Sequence, residues 1–329
     1  MTTFELKPEY ISQMVARFAE LLLDYYVFPE IAENMSKSLL AQLANGEYYN
    51  EVNGHFVASK ITKQLLQISN DKHLELIYSE KPISTIPFDP SSADHHSSQQ
   101  LNNYGFQKVE RLAGNVGHLV INSFEYPQFA GETAAYAMSF LAHTDGLIID
   151  LRSNHGGSSF MTALIASYLL ESYPPIHLHD TYWRYYDKVQ SFWSLPSVPG
   201  KKFGASKPIY VLTSSRTASG GEEFAYNLQA LQRAKIVGEQ TSGKANAGSV
   251  HRINDHFQAF IPNAYVINPT TAGSWNDIGV IPDIKTLEDA AFDKAYQLLL
   301  QQLLEQYSDS QAPGRQRVNT EIVKAIQVK

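Results

Sequence analysis

From Val116 onward the sequence alternates short apolar runs with longer amphipathic ones. VGHLVINSF reads as a strand and GETAAYAMSFLAHT as a helix. GLIIDLR is a fully apolar strand followed by the helical SSFMTALIASYLLESY, and PIYVLTS and AKIVGE are strands on either side of the helical SGGEEFAYNLQALQRA. A strand apolar at every position needs cover on both faces, and crossover helices supply it. The alternation therefore argues an α/β fold with a largely parallel sheet. FDKAYQLLLQQLLEQY adds a last helix, and residues 308–329 read as a polar C-terminal tail.

The stretch before it has a different period. Val15, Phe18, Leu22 and Tyr25 recur at helical spacing, widened by Leu21 and Tyr26. Pro29 suits the first turn of a second helix carrying Ile31, Met35, Leu39 and Leu43, and Val57, Ile61, Leu65 and Ile68 mark a third. Three such stripes can bury one another, so residues 1–80 are expected to form a three-helix bundle. Residues 81–103 hold three prolines and five serines with no apolar period, the chemistry of a linker or of a flap. The remainder, residues 104–307, forms the α/β domain.

Composition removes several function classes. There are 33 acidic and 26 basic side chains, and no basic run long enough to track a nucleic-acid backbone, so nucleic acid is not an expected partner. Cysteine is absent, which excludes disulfides, thiolate metal sites and cysteine nucleophiles. No stretch approaches the roughly 18 apolar residues of a membrane span. The charged N-terminus lacks a secretory signal, so the expected location is cytoplasmic, or periplasmic or secreted if a signal peptide has been removed. His177 and His179 share a face of a strand-like HLHD, but no third ligand accompanies them. No metal and no cofactor is expected.

Chemistry in open α/β sheets gathers where strands hand over to helices. One handover, GLIIDLRSNHGGSSF, runs from Asp150 and Arg152 through Asn154 to Gly156 and Gly157. Paired glycines there are either a tight turn or a cradle of backbone amides for an oxyanion. The other, PIYVLTSSRTASGGEEF, puts Ser219 at the start of a helix with Glu222 three residues on. That is a capping box, and equally a serine with its own helix's amides at hand. Lys244 follows in a glycine-rich loop, and His73 sits where the helices give way to extended chain.

Together these segments resemble the serine-peptidase family of the tail-specific (C-terminal processing) proteases, the tricorn core protease and interphotoreceptor retinoid-binding protein. DGLIIDLRSNHGG is similar to the family's strand-to-glycine motif, TASGGEEFAYNLQALQRAKIVGEQTSGK to its nucleophile helix and following loop, and IGVIPDI to its closing segment. YYVFPEIAENMSKSL and NDKHL resemble the bacterial retinoid-binding-protein-like subgroup, which lacks a PDZ domain. The resemblance implies a helical bundle followed by a ββα domain of the ClpP/crotonase kind. It also implies a serine peptidase acting on peptides or unfolded proteins. Ser219 falls on its nucleophile, with Gly220 and Gly156 or Gly157 supplying oxyanion amides. His73 falls on the base of the tricorn arrangement and Lys244 on the lysine of Ser–Lys dyads. The chain departs from the family at Asn276, where a carboxylate is usual, so Asp277 would have to orient the histidine. It departs again at Asn246, in a loop position often held by histidine.

Two bases are thus open. A histidine is ready near neutral pH, whereas a lysine starting at ~10.4 needs a shift of roughly three units, in a dry pocket that the polar Thr241-Ser242-Gly243 does not suggest. His73 is the expected base, with Lys244 shaping the pocket or holding a substrate carboxylate. The alternative from a different class is a non-catalytic module that binds an apolar ligand.

Overall fold

The computed structural model describes residues 6–49, 53–86 and 92–327, and residues 87–91 of the expected linker lie outside them. In chain order the first elements are α1 (Pro8–Tyr25), α2 (Pro29–Ala44), α3 (Gly54–Ser69), β1 (Glu75–Tyr78), α4 (Ala93–Leu101), β2 (Phe106–Leu112), β3 (Val116–Ile121), α5 (Pro127–Leu141), β4 (Gly146–Asp150) and α6 (Ser159–Leu169). There follow β5 (His177–Trp183), β6 (Lys188–Trp193), β7 (Ile209–Thr213), α7 (Gly220–Ala230), β8 (Lys235–Gly238), β9 (Gly248–Arg252), β10 (Phe257–Pro262), β11 (Ala264–Ile267), β12 (Ile284–Lys285), α8 (Glu288–Tyr307) and α9 (Pro313–Gln327). The chain divides into two compact units. One gathers Met1–Asp89, Asp180–Gln190 and Lys244–Val266, and the other Pro90–His179, Ser191–Gly243 and Ile267–Lys329.

In the first unit the three helical stripes bury one another as their period implies. Phe18, Leu22, Met35, Leu39, Val57 and Ile61 are fully buried in one cluster. Each such side chain contributes about 1.5–3 kcal/mol relative to exposure. The same cluster takes in Phe257, Ala259 and Ile261, alternate residues of β10. That strand pairs antiparallel with β1 on one side and β9 on the other. The unit is therefore larger than residues 1–80, because three short strands complete the cover of its helices. At the end of α3, Asn70 adopts a left-handed conformation (φ 52°). This stops the helix and leads through Asp71 and His73 into β1.

The second unit is built on a six-stranded sheet of order β12-β8-β7-β4-β3-β2, in which only the edge strand β2 runs antiparallel to its neighbour. Ile148, Leu212 and Val237 enter a core with Leu299, Leu300 and Leu303 of α8, while the alternate Leu147, Ile149 and Val211 are just as buried. Both faces are thus covered, as the uninterrupted apolar strands require. The stretch read as a polar tail is largely helix α9. Its Val318 and Ile322, one turn apart, are buried in that core, and Arg315 pairs with Asp145 at 2.5 Å. Val318, Ile322, Ala325 and Ile326 stand at helical spacing and pack on that core, a stripe obscured by the polar residues between them. The expected linker likewise contains α4. β11, β5 and β6 form a further sheet with β5 central. Among the described residues no helix is long and apolar enough to cross a membrane.

Candidate active site

In the second unit, β7 hands over to α7 through Ser214–Ser219. Ser219 has φ 52° and ψ −122°, a conformation that only glycine adopts without strain. The surrounding turn holds it there. Thr217 Oγ1 donates to Leu151 O at 2.8 Å, Ser214 Oγ to Arg152 O at 2.6 Å, and Ala218 N to Asn154 O at 3.0 Å. Ser219 N donates to Glu222 Oε2 at 2.9 Å, the carboxylate arm expected of the capping box. The serine is half-buried, and Ser214 and Thr217 beneath it are buried while Ser215 and Arg216 face solvent. A strained, rigidly supported serine at a strand-to-helix turn makes Ser219 the candidate nucleophile.

The first glycine turn lies against this serine. Gly156 and Gly157 have φ of 101° and 134°. A Cβ on Gly156 would come within 2.7 Å of Ser219 Cβ and 2.9 Å of Gly220 N, and one on Gly220 would reach 3.0 Å from Gly157 N. Gly156 and Gly220 are glycine because the two turns touch there, whereas Gly157 lies against the Phe124 backbone and Gly221 against the Asn154 side chain. Asn154, fully buried, organises the contact. Its Nδ2 donates to Ile121 O at 2.9 Å, and its Oδ1 accepts the Gly156 N–H at 2.8 Å. The Gly156 amide is thereby engaged, which favours Gly157 over Gly156 as the partner of the Gly220 amide.

Glu222 does more than cap. Fully buried, it also accepts from Thr241 Oγ1 at 2.5 Å, Ser242 Oγ at 3.1 Å and Gly243 N at 2.6 Å. One side chain so ties the serine turn to the loop that precedes Lys244. Asp277, half-buried with φ 63°, supports that loop from its other end, its N–H donating to Gly243 O at 3.0 Å.

Asp150, at the end of β4, is held by Arg152 at 2.6 Å, with His118 Nε2 3.9 Å away. Burial pushes its carboxyl up, but these donors outweigh it and hold the pKa at about 2 against an ordinary 3.8. A lowered acid stabilises the fold above its unfolded pKa and loses that contribution as pH falls through the folded value. Asp150 is thus expected to contribute about 2 kcal/mol near neutrality, disappearing between about pH 4 and 2. Urea unfolding of wild type and Asp150→Asn checks this. The gap between them should shrink on acidification through that window, and a constant gap would refute it.

In the first unit, His73 Nδ1 lies 2.6 Å from Asn246 O. A carbonyl only accepts, so Nδ1 carries the proton and Nε2 is left with its lone pair, the form a general base needs. The ring stacks on Phe260 at 4.3 Å between centroids. Burial pushes the imidazole below the ordinary histidine range, and the Lys244 cation pushes the same way. The Asn246 carbonyl and the Asp71 carboxylate oppose them. Asp71, 1% exposed, accepts from His73 N at 3.0 Å, Asn246 Nδ2 at 2.9 Å and Tyr26 Oη at 3.1 Å.

Ser219, Gly156, Gly157, Gly220 and Asp277 thus belong to the second unit, and His73 and Lys244 to the first. Asp71, the Asn246 carbonyl and the wider role of Glu222 have no signature in the local sequence pattern. His177 and His179 occupy β5 as expected. The former stacks on Trp193, and the latter is buried against Phe192 with Nδ1 3.1 Å from Asn227 Nδ2.

The family model described as peptidase family S41 matches residues 115–286, just over half of the chain. The chain belongs to peptidase family S41. The model of the N-terminal domain of this family in eukaryotic IRBP matches residues 6–108. Among curated family relatives, the nisin-resistance protein of Lactococcus lactis subsp. lactis is 26% identical over 212 residues, 58% of this chain and 62% of that protein. Carboxyl-terminal-processing peptidase 2, chloroplastic, of Arabidopsis thaliana is 26% identical over 170 residues, covering 51% and 31%. The chain therefore spans less than two thirds of either. In fold it is similar to a candidate peptidase of Parabacteroides merdae ATCC 43184, with TM-score 0.59, 17% identity and coverage of 90% of this chain and 97% of that one.

Proposed function

We propose that this S41 chain is a serine peptidase acting on peptides or unfolded proteins, with Ser219 as nucleophile and His73 as base. Ser219 Oγ attacks the scissile carbonyl carbon and its proton passes to His73 Nε2. The Gly220 and Gly157 amides stabilise the oxyanion. The imidazolium returns the proton to the departing amine, and water then hydrolyses the acyl-serine. The observation that carries this reading is the strained Ser219 backbone set directly against the Gly156–Gly157 turn. Support comes also from the fixed Nδ1–H tautomer of His73. A passive binder of apolar ligands has use for neither. Relatives named for carboxyl-terminal processing and for nisin resistance suggest peptide chains, and Lys244 is suited to a substrate carboxylate.

The test is labelling by a fluorophosphonate probe together with separate His73→Ala and Lys244→Ala variants. Labelling of wild type is expected, with His73→Ala losing about 10³–10⁴-fold in kcat and Lys244→Ala acting mainly on KM. Because His73 sits below the ordinary histidine value, the acid limb of kcat/KM should fall below about pH 6.5. An inert Lys244→Ala beside a nearly unaffected His73→Ala would transfer the base to the lysine. A wild type inert to every probe and peptide would leave the binding module.

A further inference from the structure

We propose that Asp71 is the orienting carboxylate of the base, acting on His73 at one remove through Asn246. The inference rests on His73 being the base, and it assigns to Asp71 the task that the sequence pattern suggests for Asp277. Its ground is a closed loop of hydrogen bonds inside one unit. Asp71 Oδ1 accepts the His73 backbone N–H at 3.0 Å. Its Oδ2 accepts Asn246 Nδ2 at 2.9 Å and Tyr26 Oη at 3.1 Å. The carbonyl of that same Asn246 receives His73 Nδ1–H at 2.6 Å.

The bond to His73 N alone is an Asx turn, the ordinary use of an aspartate after a helix end. An Asx turn needs one oxygen and no burial. It does not explain why the second oxygen, on a side chain 1% exposed, takes two more donors. One of those donors is the residue whose carbonyl decides the histidine tautomer. Fixing Asn246 by its side chain holds its carbonyl in line with Nδ1, and the negative charge behind it favours the imidazolium that forms when Ser219 loses its proton. The charged groups bearing on the ring within this unit are Asp71, which favours that state, and Lys244, which opposes it. Asn246 therefore counts as a working part of the site rather than as a lost histidine. Asp71 is a positioning residue, since it does not touch the imidazole nitrogens.

The experiment reads the histidine directly. Nitrogen-15 NMR of His73 in the 329-residue Ser219→Ala chain, with and without Asp71→Asn, gives tautomer and pKa whether or not the protein cleaves anything. Asp71→Asn is expected to lower the His73 pKa further and to broaden or lose the Nδ1–H signal. In the Ser219 background the same change should cut kcat by roughly ten- to hundredfold with KM nearly constant. This is less than the roughly 10⁴-fold loss for a carboxylate in direct contact with its histidine. Asn246→Ala, which keeps the carbonyl but cuts its tether, should act in the same direction and serves if Asp71→Asn does not fold. Tyr48→Phe, which removes the part-buried Tyr48–Gln64 bond of 2.5 Å elsewhere in the unit, controls for lost stability alone. An unmoved His73 tautomer and pKa in the folded variants would overturn the relay. Movement of both in a protein inert to all peptides would uphold the relay and sink the peptidase reading instead.

Discussion

Replacing Ser219 with alanine is expected to lower peptide turnover by about 10⁴- to 10⁶-fold and to abolish fluorophosphonate labelling. The melting temperature should barely move. Alanine keeps the Cβ and therefore the strain of the left-handed backbone, and the Glu222 arm reaches the backbone N–H rather than the side chain. At most the hydroxyl of a helix cap is lost, about 1 kcal/mol against roughly 5–15 kcal/mol for a domain. A second variant sharpens the test. Glycine at 219 removes the strain, so Ser219→Gly should be as inactive as alanine but more stable by about 1 kcal/mol. Labelling that persists in both would move the active serine elsewhere. Equal stabilities would mean that the turn is not strained.

The largest effect on stability is expected at Glu222. Its carboxylate is fully buried and takes four donors, from Ser219 N, Thr241 Oγ1, Ser242 Oγ and Gly243 N, at 2.5–3.1 Å. Glu222→Ala leaves these groups without their acceptor and opens a cavity under the nucleophile turn. Each unsatisfied buried donor costs about 1–3 kcal/mol, partly relieved by water, so a net loss of about 3–5 kcal/mol is expected. Labelling of Ser219 should slow as well, because the turn and the loop before Lys244 come loose together. Denaturant unfolding and probe kinetics measure the two effects. A loss below about 1 kcal/mol would show that Glu222 is only a helix cap.

What was legible in the sequence was whatever local pattern determines. Buried strands announce themselves by unbroken apolar runs, and Gly156, Gly157 and Gly220 by a spacing that brings backbones into contact. Ser219 followed from its place between strand and helix together with the family resemblance. The base was harder to read for a physical reason. The group that sets the His73 tautomer is a backbone carbonyl, which every residue has, and it comes from 173 positions away. Nothing in the identity of Asn246 advertises it. Asp71 is hidden for a related reason, since its partners come from Tyr26, just past the end of α1, and from Asn246 in the loop before β9. β10, a six-residue run apolar at all positions but Gln258, is too short for periodicity to tell strand from helix. α9 is hard to read because its stripe of Val318, Ile322, Ala325 and Ile326 is set in an otherwise strongly polar segment.

The composition of the first unit has a consequence for how the protein is made. Its core is closed by Phe257, Ala259 and Ile261, far along the chain from the helices they cover. A growing polypeptide emits α1 to α3 early, yet their apolar faces cannot be sealed until residue 262 has left the ribosome. Ser219 and its glycine turn are synthesised first, and Asn246 and β10 follow them. A chain halted between them would carry Ser219 but no carbonyl to fix the proton on His73, so the proposed serine–histidine pairing is complete only once Asn246 and β10 have followed. The same arrangement keeps the helical part from being lifted out as a cassette. A fragment ending near residue 80 would lack one wall of its own interior, and supplying the 244–266 stretch as a separate peptide should restore its cooperative melting.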